Sequence, residues 1–415
     1  MSSKAPILPT ARARQLFTTW FWRPPRPHGE TIIDRRVSPL ELLYDLVYVV
    51  VIAQAGQRLE EHVSAGRLFE FAVVFSLVWI AWTNGSLYLE LHGRGDGRTR
   101  SYVFLQIGIL AILAVFAADA AGAGGAAFAM AYAAFLGVTA WLYYDVRRQD
   151  VVARPEILAE ADRYVVAIAI SCAVIFASAF LPAQVRIAVW SAFTIVWIVL
   201  LLLTGRSRAG LSRGLTPTDS LVERFGTFTI IVLGEVVFGV VNGLSQSRHD
   251  FTSIATGLVA LTVGFGFWWI YFDVVGGRLP KGDGRALANW IVSHLPITLS
   301  IAAAGAGMVS LIAHAHEAST PAPTAWLLTG AVAIGLLVLI LTSRALADSG
   351  RLGAAFRPLW IAMIAGAIVS MIVGSVRPAP WLIALLLVGV LSLVWGVAIW
   401  RFSLAGAWVG ERSPG

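Results

Sequence analysis

Of 415 residues, 58% are apolar and only 13% charged, and the mean hydropathy is +0.76. Soluble domains carry about 25% charged residues, so a soluble enzyme and a disordered chain are both excluded. The net charge of +7 sits in the breaks between apolar runs, which accounts for it without a nucleic-acid partner.

In chain order, residues 1–37 are basic and Pro-rich and read as a cytosolic segment. The stretch "LFTTWFW" is too short for the apolar region of a signal peptide, so the first span is expected to act as the insertion signal. About twelve apolar runs follow, each near the roughly 20 residues a helix needs to cross a bilayer. They lie near 38–56, 68–91, 101–119, 126–144, 163–181, 185–204, 220–243, 252–273, 287–312, 325–343, 358–376 and 380–400. The predicted fold is an all-α, polytopic membrane protein. With a cytosolic N-terminus, 25 of the 31 Lys and Arg face inward; five (Arg58, Arg67, Arg186, Arg248, Arg377) face outward and Arg224 sits at a helix start. That skew predicts a bacterial inner-membrane protein with both termini cytosolic and a basic surface against anionic lipid. The single cysteine, Cys172, lies in an apolar run and reads as a small core residue without a disulfide.

Several segments recur. "SPLELLYDLVYV" at 38 matches "SLVERFGTFTII" at 220. "LYLELHGRGDGR" (87–98) matches the end of "IYFDVVGGRLPKGDGR" (270–285), and "FLPAQ" (180–184) matches "VRPAP" (376–380). The reading is two parallel six-helix repeats, 38–204 and 220–402, with a cytosolic linker at 205–219 and a cytosolic tail at 403–415.

The acids within the spans carry the functional question. Ser38 and Ser220 read as helix caps, which places Glu41 and Glu223 at the third helical position of a capping box. Asp45 has no such account. It lies about 10 Å in from the Ser38 cap and on Glu41's face, where a charged Asp costs up to about 2.5–3.5 kcal/mol, so it is expected to face the interior and to partner something. Glu235 is the deepest acid, about 18 Å past Glu223. Its repeat counterpart is Ala53, with Gln54 adjacent, although neither Glu235 nor Gln54 shares the stripe of the shallower acids. His294 precedes Pro296, whose ring frees a carbonyl one turn back, a setting that suits a proton or cation site or a packed, hydrogen-bonded ring. Asp45, Glu235, His294, Gln54, Glu41, Glu223 and Arg224 form the candidate transport or polar core. Glu90 and Asp273, each following a Tyr, are expected to pair with basic loops at the cytosolic ends. "HAHE" (314–317) reads as a solvated loop. No nucleotide-binding, hydrolase or metalloprotease motif occurs, so no enzyme activity, cofactor or metal is expected.

"SPLELLYDLVYVVVIAQ" (38–54), "LVERFGTFTIIVLGE" (221–235) and "SHLP" (293–296) resemble signature segments of the bacterial low temperature requirement protein A family, over roughly residues 35–400. Leu43-Tyr44 stands where that family has Phe-Phe. The resemblance implies a link to growth in the cold and carries over no catalytic or binding residue. "LLYDLVYVVVIAQ" is also similar in pattern to the segment that opens the first helix of a duplicated six-span potassium and proton channel family. Glu41 replaces that family's basic residue, and Thr227 stands at the aspartate's place in the second half.

Three functions fit: a channel or transporter for a small ion, proton or other solute; a membrane-embedded enzyme acting on lipid; and a non-catalytic, stress-related membrane component. The first is favoured, because membrane-depth carboxylates are costly and normally used. The bilayer is the expected environment, and self-association into a homo-oligomer is left open.

Overall fold

The computed structural model describes residues 9–30, 35, 37–206 and 216–406, so most of the expected linker at 205–219 and of the tail at 403–415 lies outside the described residues. The chain forms α1 (Pro9–Trp22), α2 (Pro39–Glu61), α3 (Ala65–His92), α4 (Gly97–Ala117), α5 (Gly125–Ala153), α6 (Leu158–Ser178) and α7 (Ala183–Thr204). It continues with α8 (Asp219–Gln246), α9 (Phe251–Val274), α10 (Gly284–Ala313), α11 (Ala322–Arg344), α12 (Gly353–Val376) and α13 (Pro380–Leu404). Twelve of these, α2 to α13, are long and apolar enough to span a membrane. The all-helical, multi-span expectation is borne out; α1, inside the segment read only as basic, is an addition.

Local chemistry sets the helix starts. Ser38, Ser64, Asp96, Asp250 and Asp283 each accept a hydrogen bond from the amide three residues on, and Pro39 and Pro380 occupy first-turn positions. One expected cap is corrected. Thr218, not Ser220, caps α8 and accepts from the Leu221 amide. Ser220 lies within the helix, so Glu223 falls past the third position and faces outward, outside any capping box. Thr218 also donates to the Glu90 carboxylate at 2.8 Å.

Loop contacts fix the alternation of the spans. On the face carrying α1, Pro280 bridges Leu346 and Arg98 pairs with Asp145. On the opposite face Arg58 pairs with Asp119, His316 meets Asp250 at 2.8 Å, and Thr320 bonds the Pro378 carbonyl. Large apolar side chains such as Phe104, Val115 and Leu393 stay exposed on the outside of the bundle, the surface lipid covers.

The buried centre is α10, which packs against α2, α3, α7, α8, α9 and α11. Between spans, lipid is as apolar as any side chain, so close packing rather than the hydrophobic effect holds helices together. The run "IAAAGAG" (301–307) supplies the small residues and is wholly buried. At its centre a Cβ on Gly305 would lie 2.8 Å from the Glu235 carbonyl, and one on Gly239 would collide with the Gly305 carbonyl. Backbone cannot yield as a side chain can. Gly305→Ala is therefore expected to part α8 from α10 at a cost of about 1–3 kcal/mol, read as a lower unfolding midpoint in detergent; an unchanged midpoint would remove this contact from the account.

Five neighbour relations recur in α2–α7 and α8–α13, whereas α9 on α10 and α3 on α5 have no counterpart of similar extent. α2 packs on α4, α4 on α5, α5 on α6, α6 on α7 and α3 on α7; in the same order α8 packs on α10, α10 on α11, α11 on α12, α12 on α13 and α9 on α13.

Candidate functional site

Helices α2 and α8 both start at the α1 face and run alongside each other beside α10. Two carboxylate clusters lie on their seam.

The first, near the α1 face, is built around Arg224, whose side chain is 0% exposed. Its Nε donates to Ser86 Oγ at 2.9 Å, one terminal nitrogen donates to Glu41, and the other reaches Asp45 Oδ1 at 3.4 Å. The fork thus ties α8 to α2 and α3 and, as the spacing of Glu41 and Asp45 implies, one cation serves both. Asp45 is 0% exposed; its Oδ1 also accepts from Trp82 Nε1 at 2.8 Å, whereas Oδ2 has no partner among the described residues. Trp82 is held by stacking on Phe228 at 4.1 Å between centroids.

A second arginine extends the cluster. Arg35, just before α2, bonds both Glu41 oxygens at 3.0 and 2.9 Å, and it bonds Glu90 and Ser220 at 2.5 and 2.8 Å. Glu90 accepts from Thr218 and Ser220 as well. Glu90 therefore closes the end of the seam across three helices. Behind it, Arg26 is buried and donates to the carbonyls of Glu90, Gly93 and Glu30, which satisfies the last turn of α3. Burial pulls the Arg26 guanidinium below its ordinary pKa.

The second cluster lies deeper. Glu235 on α8 is 2% exposed, makes no hydrogen bond among the described residues, and has Glu60 of α2 as its charged neighbour. Glu60, 7% exposed, accepts from Asn242 Nδ2 at 2.9 Å through Oε2, while its Oε1 is unpartnered. Between the two lies Gly56: a Cβ there would be 3.7 Å from Glu235 Oε1, 3.7 Å from Glu60 Oε1 and 3.8 Å from the Phe71 ring. Asp45 and Glu60 are separated along α2 by about 22 Å, over which Tyr48, Val51, Ile52 and Ala55 are buried.

Other candidates fall elsewhere. Gln54 is exposed and takes no part; the polar group that α2 offers Glu235 is Glu60, six residues further along the helix. His294 is buried and packed, its Nδ1 2.6 Å from the Trp290 carbonyl and its Nε2 3.0 Å from the Tyr271 hydroxyl. Since a carbonyl only accepts, Nδ1 carries the hydrogen and Nε2 of the neutral ring accepts from Tyr271. Asp273 receives the Trp395 indole N–H at 2.7 Å and has Arg278 of the basic loop as its charged neighbour. His316 pairs with Asp250, whose carboxyl the Ser253 amide holds below its ordinary pKa. Cys172 donates to the Ala133 carbonyl. Among the described residues no group of three His, Cys, Asp or Glu could hold a metal ion. A cavity of about 670 Å³ lies between α3, α6, α7 and α10 and touches neither Asp45 nor Glu235.

Glu60, Arg35, Arg26, Trp82, Ser86 and Asn242 were not among the residues expected from sequence. Glu60 had a signal: it lies within about 60° of Asp45's face at 100° per residue. Arg35 and Arg26 lie outside the helix that they serve, where periodicity says nothing.

A bundle of twelve apolar helices with carboxylates and a guanidinium locked inside is a multi-span membrane protein with a polar seam. The chain belongs to the bacterial low temperature requirement A protein family, whose model matches residues 36–399. It is 23% identical over 314 residues, 70% of this chain and 73% of the other, to an uncharacterised protein of Rhizobium meliloti (strain 1021). No solved structure matches.

Proposed function

We propose that this protein passes a small ion across the bilayer along the α2–α8 seam, without enzymatic chemistry. One observation carries the reading: at two depths of the same seam, buried carboxylate oxygens (Asp45 Oδ2, then Glu60 and Glu235 Oε1) are left without partners. Structural acids are normally satisfied, and uncompensated ones in a membrane mark ion or proton paths. The apolar stretch between the clusters makes this conformation closed, so conduction requires α2 and α8 to part. The matching order of neighbours in α2–α7 and α8–α13 supports two parallel six-helix repeats, with α2 and α8 as equivalent gating helices. The skew of basic residues toward the α1 face supports placing that face, and both termini, in the cytosol.

Purified protein in liposomes should dissipate an imposed cation or pH gradient faster than protein-free liposomes, and Asp45→Asn should slow this at least tenfold. Wild-type liposomes no leakier than empty ones, or flux indifferent to Asp45→Asn, would sink the proposal.

A further inference from the structure

The cavity between α3, α6, α7 and α10 holds about 670 Å³, a size suited to one small amphiphile. It opens because α7 rests lightly on α3 and α6, whereas α13 packs closely on α9 and α12. Its charged lining residues are His28, after α1, and Arg154, Glu156, Glu160 and Arg163, around the start of α6; all lie at the α1 face. Further in, the lining is mostly apolar. Trp79 lies about 20 Å from the α1-face end of α3, and Trp197 about 10 Å from that of α7. One leaflet is about 15 Å of hydrocarbon, half of the roughly 30 Å core, so the cavity spans one leaflet. Charge at the interface above an apolar slot is the polarity order of a phospholipid.

The charges at the mouth are available. Among the described residues Glu160 and Arg163 form no ion pair, and Arg154 meets Glu156 only at 3.5 Å, with both side chains about half exposed, a pairing of little worth. Arg154 is also placed. A Cβ on Gly29 would lie 2.8 Å from its terminal nitrogen, and Gly29 has a left-handed φ of +80° that favours glycine. His28 is already spent on the Asp150 carboxylate, which accepts from its amide at 3.0 Å and meets its ring at 2.7 Å. Two cations and two anions remain.

We propose that this cavity seats one phospholipid with a phosphoethanolamine headgroup, drawn from the leaflet at the α1 face. An acyl chain lies in the apolar part, along Tyr164, Ala167, Trp197 and Leu201. The phosphate accepts from Arg154 and Arg163, and the ammonium donates to Glu156 and Glu160. A zwitterion matches two cations and two anions. A purely anionic headgroup leaves both glutamates without a counterion, and a choline headgroup has no N–H to donate. The site touches neither Asp45 nor Glu235, so lipid binding stands or falls apart from any ion flux.

Unfolding midpoints of the full-length protein in detergent would be followed against added dioleoyl phosphatidylethanolamine, with phosphatidylglycerol and phosphatidylcholine of the same chains as references. The wild type should show a saturable rise, half-complete at a concentration at least tenfold lower for the ethanolamine lipid than for either reference. Ala167→Trp, whose ring takes up the slot, should lose the rise. Glu156 is exposed and Glu160 partly so, so Glu156→Gln combined with Glu160→Gln should fold, and it should abolish the preference over the glycerol lipid. Equal responses of the wild type to all three lipids would overturn the site, as would a preference for the glycerol lipid. So would a tenfold preference that survives in the double glutamine variant, or a full ethanolamine response in Ala167→Trp. If Ala167→Trp does not fold, the wild type and the double glutamine variant decide the matter alone.

Discussion

Arg224→Ala is expected to be the most damaging single substitution in the bundle, at about 3–5 kcal/mol. The cost is not the loss of two attractions but what remains: Glu41 and Asp45, buried at the start of α2, lose the guanidinium that both use, and Ser86 loses its donor. Arg35 still covers Glu41, so the residual strain falls on Asp45. It follows that Asp45→Asn should recover much of the stability lost in Arg224→Ala, whereas Glu41→Gln should recover less. Unfolding midpoints of the single and double variants in detergent measure this coupling. Additive losses would mean that the pairs at the seam are not energetically joined.

Glu235→Gln should do the opposite to stability and yet impair function. No countercharge faces Glu235 among the described residues, and its charged neighbour Glu60 is of like sign. An amide of equal shape cannot ionise and offers an N–H₂ donor near the unpartnered Glu60 Oε1, so stability should rise by about 1 kcal/mol, a gain typical of relieving strain at a functional site. Ion flux in liposomes should nevertheless fall at least tenfold. A variant that is both less stable and fully active would assign Glu235 a purely structural part.

The contrast between these two residues shows how far residue order could be read. Span number and approximate limits were legible, because about 20 apolar residues between basic breaks have few other uses in a bilayer. Asp45's need for a buried partner was legible too, since no cap explained it. The pairing was not: Arg224 was placed in the polar core from its position at a helix start, but nothing in residue order joins it to Asp45, far off along the chain. Gln54 was kept on depth alone although it lay off the stripe of the acids; at nine residues from Asp45 it points to the opposite side of α2. Glu223 was misassigned because Ser220 looked like a cap, while Thr218, with Glu90 to hold it, started the helix earlier. His294 was legible as a buried polar group, but whether its nitrogens were free depended on Tyr271 from a neighbouring helix.

The position of Arg224 on α8 also bears on how the molecule is made. When the ribosome has delivered α2 to α7, Glu41 can meet Arg35, but Asp45 has only an indole for company. Its cation arrives with the next segment to be translated. The early product is therefore an incomplete intermediate, and cutting the gene between α7 and α8 yields a leading fragment whose charge can be cured only by supplying the trailing fragment in the same cell.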